Sequence, residues 1–126
     1  MDKYLLEKMT KFYAQQIQAM LPLQLDEVTR ALSVVPTKNA MGYTKELDIS
    51  NPILSKVWKS SKNQYIKELY AMELQNTCGV PFSRYLIVER GMTIVYNYFD
   101  VRHQHLFRYT VEKDDCLKYE RKENKT

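Results

Sequence analysis

Met92-Thr-Ile-Val-Tyr-Asn-Tyr-Phe-Asp100 and Leu106-Phe-Arg-Tyr-Thr-Val111 decide the fold, because both are strand-length runs of β-branched and aromatic residues. Asp100-Val-Arg-His-Gln104 joins them as a hairpin connection. Cys78 and Cys116 bracket this region, which reads as one antiparallel unit that a single disulfide could staple.

Working back from the hairpin, residues 82–90 read as a helix opened by Pro81 and running into Gly91, with a strand as the alternative. Before them lies a long helix that starts at Asn51-Pro52. Asn accepts from exposed N–H groups, and Pro fits the first helical position, where no N–H is needed. Leu54, Val57, Trp58, Tyr65, Ile66, Leu69, Tyr70 and Met72 keep helical spacing through to Asn76, and polar Lys59-Ser-Ser-Lys-Asn63 marks a break. Gly79 and Pro81 close the helix.

Further upstream a second hairpin is expected. Val28, Arg30, Leu32 and Val34 alternate with Thr29, Ala31, Ser33 and Val35, and Pro36-Thr-Lys-Asn39 supplies turn chemistry. Met41, Tyr43, Lys45, Leu47 and Ile49 then share one face. Residues 2–21 form an amphipathic helix that Pro22 ends. From Glu112 onward five acids and five bases follow, a charged tail expected to fray after Cys116.

The predicted fold is therefore α+β. An N-terminal helix and a long central helix pack on one face of an antiparallel sheet of about four strands, arranged as two hairpins. Residues 1–116 form one domain, and 117–126 the tail. At 126 residues the chain carries one core, and its 44% hydrophobic content is ordinary for a globular domain. Its net charge of +4 is spread along the chain without a basic run, which argues against a nucleic-acid partner. No stretch approaches the roughly 18 apolar residues of a membrane span. Met1-Asp-Lys-Tyr-Leu-Leu-Glu-Lys8 lacks the apolar core of a signal peptide, so the expected compartment is cytoplasmic as written, or periplasmic if the chain is a processed form.

Phosphate-cradling, dinucleotide, zinc-protease and nucleophile-elbow motifs are missing from the chain, which holds three glycines in all. No cofactor is expected, and no catalytic residue is assigned. His103 and His105, with Asp100 nearby, form a His-x-His pair that could hold a metal or act on RNA, but two such ligands without a third make a polar hairpin the better reading, and no metal site is assigned. Asp26-Glu27 and Asp114-Asp115 read as solvated charges. Cys78 and Cys116 are open to two readings, a bond in an oxidising compartment or two free thiols in a reducing one. Asp114-Asp115 would raise the Cys116 pKa, which argues against a nucleophile. Arg84, Arg90 and Arg108 with Tyr96, Tyr98 and Tyr109 are expected to share a surface, and Arg and Tyr are common anchors of protein interfaces.

Leu21-Pro22, Asp26-Glu27-x-Thr29, Gly42-Tyr43, Cys78-x-x-Pro81-x-x-Arg84, Gly91, Tyr96-x-Tyr98-x-Asp100 and Asp115-Cys116 occur in an order that resembles a loosely defined group of short, mostly uncharacterised bacterial proteins, many exported and disulfide-bonded. The resemblance spans roughly residues 21–116 and implies an α+β fold with a Cys78–Cys116 bond. It carries no enzymatic residues. The chain departs from the group in having Val101-Arg102 where a glycine turn is expected. The helix-then-sheet outline is also similar to small bacterial toxin-immunity proteins. The expected function is thus a non-enzymatic protein that binds another protein, foremost an immunity protein that binds a toxin. The alternatives are an exported, disulfide-bonded accessory protein of a secretion or envelope system, or a small metal-independent RNase using His103 and His105.

Overall fold

The sheet residues Met41, Lys45, Leu47, Ile94, Tyr96, Tyr98, Tyr109 and Val111 are all buried, and their neighbours in sequence are less so. That alternation gives one face to the core, as the sequence of the third strand anticipates. A computed structural model describes residues 3–123. The elements are α1 (Lys3–Gln18), β1 (Leu23–Gln24), β2 (Thr29–Pro36), β3 (Ala40–Leu47), α2 (Pro52–Cys78), α3 (Pro81–Arg84), a π-helical turn (Tyr85–Glu89), β4 (Thr93–Phe99), β5 (His105–Val111) and α4 (Lys113–Glu123). The fold is α+β, with the helices packed on the sheet.

Among the described residues the sheet has five strands in the order β1-β2-β3-β4-β5. Both expected hairpins form, as β2–β3 and β4–β5. They join in parallel, however, with Met41 opposite Ile94 and Tyr43 opposite Tyr96, so the sheet is mixed and not purely antiparallel. The cause is the connection. α2 and the helical turns after it carry the chain back along the sheet, and a crossover of that length is what parallel neighbours require. The fifth strand, β1, pairs Leu23 with Ala31 and Gln24 with Arg30, too short a run to show alternation.

A register shift between Ala31 and Ser33 changes which face β2 presents. Thr29 and Ala31 point inward before it, and Val34 after it, so the two expected alternating sets are each split. The Val34 N–H donates to the Gln18 side chain at 2.9 Å, which ties the end of α1 to this strand.

α2 begins where Asn51-Pro52 places it. The Asn51 Oδ1 accepts from the N–H groups of Ile53 and Leu54 at 3.0 and 3.3 Å. Asn51→Ala is expected to cost about 1 kcal/mol. The check is urea denaturation, which should give a lower midpoint with an unchanged slope. The expected break falls at Ser61, whose backbone leaves the helical region (φ −140°, ψ 36°). Its cause is the serine pair: the Ser60 hydroxyl donates to the Lys56 carbonyl at 2.9 Å, a contact that bends helices.

Residues 81–89 are helical, first α and then π, and Leu86 and Ile87 are fully buried. Gly91 follows at φ +78°, a left-handed conformation that suits glycine, and turns the chain into β4. The segment expected to fray is instead α4 as far as Glu123. Asp115 accepts from the Glu112 N–H at 2.8 Å in the manner of a capping box. Asp114 and Asp115 sit in the first turn and Arg121 and Lys122 in the last, which complements the helix dipole. Cys116 is fully buried, so the helix has an anchor in the core.

α2 lies across β4 and β5, held by tyrosine hydroxyls. Tyr98 donates to Glu73 at 2.9 Å, Tyr109 to the Ile66 carbonyl at 2.5 Å, and the Tyr96 hydroxyl is bonded to that of Thr77 at 2.5 Å. Ile66, Glu73 and Thr77 lie on one stripe of the helix. Burial pushes the phenol pKa of each of these tyrosines upward, and at Tyr98 the Glu73 carboxylate adds to the effect.

Candidate docking groove

Between the β1–β2 loop and the first half of α2 lies an apolar groove of about 360 Å³. Leu54, Val57 and Tyr65 come from one stripe of α2, and Val28 faces them from the start of β2. Ile53 stands at the mouth with 74% of its surface exposed, the most exposed large apolar side chain among the described residues. Asp26 and Glu27 form an acidic rim. The loop that carries them is pinned, since Asp26 Oδ1 accepts from the N–H groups of Val28 and Thr29 at 2.9 and 2.8 Å. Burial, with a further push from Asp26, raises the Tyr65 phenol pKa. A preformed apolar floor with fixed negative charge at its edge suits an apolar side chain accompanied by a Lys or Arg.

The six expected interface residues are not brought together. Tyr96, Tyr98 and Tyr109 face inward and hold α2, whereas Arg108 is exposed on the opposite face, in register with Asn97. Arg84 forms a two-pronged contact with Glu120 through Nε and Nη2. Arg90 donates to the Tyr85 hydroxyl at 2.7 Å and lies over that ring. Stacking and pairing within the fold thus account for these arginines and tyrosines apart from Arg108. Asp26 and Glu27 are exposed, as solvated charges are, and also border the groove. The sequence signal for Ile53 is an isoleucine directly after the Asn-Pro start and off the periodic stripe.

Cys78 and Cys116 are bonded to each other, joining the end of α2 to the first turn of α4. The two histidines do not converge. His103 sits exposed in the β4–β5 turn at φ 65°, while His105 contacts Asn97 and the Phe99 ring on the strands. Asp100 organises this turn, accepting from the N–H groups of Arg102 and Gln104 at 2.9 Å each. The left-handed residue of the turn is His103, just after the Val101-Arg102 pair where a glycine turn is expected, and histidine tolerates αL better than most types. Among the described residues no group of three or more His, Cys, Asp or Glu is placed to hold a metal ion. No helix among them is long and apolar enough to cross a membrane.

No family model matches the chain, and no curated protein sequence does. Solved structures are similar to nearly all of it. The type 2 secretion system pilotin EpsS of Vibrio vulnificus has a TM-score of 0.73 at 17% identity, over 90% of this chain and 94% of that one. The type II secretion system pilotin AspS of Vibrio cholerae gives 0.70 at 14% identity, over 90% and 94%. A proposed secreted protein of Pseudomonas aeruginosa gives 0.71 at 16%, over 90% and 95%. At such identities the likeness is one of fold.

Proposed function

We propose that this chain is an accessory protein of a bacterial secretion system in the cell envelope, and that it holds an apolar, basic segment of another protein in the groove beside Ile53. The observation that carries the reading is the end-to-end fold likeness to two type II secretion pilotins, over 90% of this chain in each case. The disulfide supports an oxidising compartment such as the periplasm. The groove supports a protein partner over a small polar ligand, because its floor is apolar and its one charged element is an acidic edge. Toxin immunity, the foremost expectation from the sequence, rests on outline alone. It finds no counterpart in the structures just described.

The test titrates the purified chain with purified outer-membrane components of its host's type II secretion apparatus. One component is expected to bind. Ile53→Asp should weaken that binding at least about tenfold, because it puts a charge where an exposed apolar side chain would be covered by the partner. Glu27→Lys should weaken it too, with both variants still folded. No binding to any component, together with normal secretion in a deletion strain, would defeat the reading, and neutralisation of a co-encoded toxin would restore the immunity alternative.

A further inference from the structure

We propose that α1 rests on an anionic lipid surface through an apolar strip that the sheet leaves uncovered. The apolar arc of α1 is wider than the side it buries. Leu6 and Ala14 go into the core with Thr10, and Met9, Tyr13 and Ile17 are half-buried against it. Leu5 and Phe12, seven residues apart and so in line on the helix, are 48% and 61% exposed, and Met20 just beyond the helix is 61% exposed. Phe82 extends the strip, standing edge-on to the Tyr13 ring at 4.9 Å while 42% exposed.

Basic residues border this strip. Lys11 lies a little over a quarter of a turn around the helix from Phe12, Lys8 sits beside Phe12 one turn earlier, and Lys38 lines the same shallow depression as Lys11, where Glu7 is the one acid among the described lining residues. An apolar ridge along one helix, with an aromatic at its centre and lysines beside it, is the pattern of helices that lie flat in a membrane interface. The ridge runs along a helix backed by β2 and β3, which suits a broad surface better than a peptide. Lysine stems would lie along the apolar boundary while their ammonium groups meet lipid phosphates. The inference uses none of the groove residues and stands apart from the proposed function.

The experiment is flotation of the intact, disulfide-bonded chain with vesicles of phosphatidylcholine alone and of phosphatidylcholine mixed with phosphatidylglycerol. Binding to the mixed vesicles is expected, with much less to the neutral ones. Lys11→Gln with Lys38→Gln should lower it roughly thirtyfold, and raised salt should do likewise. Phe12→Ser with Leu5→Ser, both at exposed positions, should abolish it while circular dichroism stays native. Failure to bind, equal binding to both vesicle types, or binding indifferent to the Phe12 and Leu5 changes would each overturn the proposal. So would concentration-dependent self-association that disappears in Phe12→Ser without any vesicle binding, because the strip would then be a contact between copies.

Discussion

Glu73→Gln is expected to lower folding stability by about 3–5 kcal/mol, the range seen when one partner of a buried ion pair is removed. Glu73 is 1% exposed and Lys45 7%, so solvent does little to screen the loss. The Lys45 ammonium lies 2.9 Å from both carboxylate oxygens, and Tyr98 donates to one of them at the same distance. With a neutral amide in its place, the ammonium stays buried among groups that no longer balance it. The faces of Tyr96 and Tyr98, 5.0 and 5.9 Å from Lys45 Nζ, offset only part of that. Lys45→Met should be comparably harmful, as it strands the carboxylate. Combining Lys45→Met with Glu73→Leu should recover most of the loss, since an apolar pair of similar volume often equals a buried ion pair. Urea unfolding of the four proteins measures the cycle. A Glu73→Gln loss below about 1 kcal/mol would mean that water reaches the pair and that its burial is not what holds α2 to β3.

The same pair shows where sequence reasoning stops. Alternation puts Lys45 on one face with Met41, Tyr43 and Leu47, and the structure turns that face inward. Its partner sits twenty-eight residues away on α2, and nothing local to either residue announces the match. The tyrosines fail for a related reason. Tyr96, Tyr98 and Tyr109 look like interface residues because each hydroxyl needs a partner, and those partners exist only once α2 crosses the sheet. Local chemistry was legible wherever it sufficed, as with the Asn51 cap, the serine break in α2 and the Pro81 helical start. α4 was hidden by its polarity. Alternating acids and bases resemble a solvated tail until Cys116 and Tyr119 are seen packed into the core, which tertiary structure alone supplies. Half of the groove was visible as the Leu54, Val57 and Tyr65 stripe. That part of this stripe faces a cleft follows from where the Asp26–Val28 loop lands, a matter of topology.

Removing the Cys78–Cys116 bond should lower stability by roughly 3–4 kcal/mol on the chain-entropy estimate. The bond closes a sequence separation of 38 residues that contains α3, the π-helical turn and the whole β4–β5 hairpin. Without it the unfolded chain gains that loop's freedom, while the native state keeps most of its contacts. What remains of the attachment of α4 is uneven: the Tyr70 hydroxyl to Asp115 at 3.1 Å, the Arg84 fork to Glu120, and the packing of Tyr119. The Arg84–Glu120 pair is partly exposed and contributes little by itself. Two effects of different reach are therefore expected in the Cys78→Ser, Cys116→Ser double variant. The global unfolding midpoint in urea should fall, and amide exchange in residues 113–123 should accelerate more than in β3 and β4, because α4 now opens locally. An unchanged midpoint would refute the entropic account. A lowered midpoint with α4 as well protected as β4 would show instead that the helix is held by its packing, and that the bond acts on the unfolded chain alone.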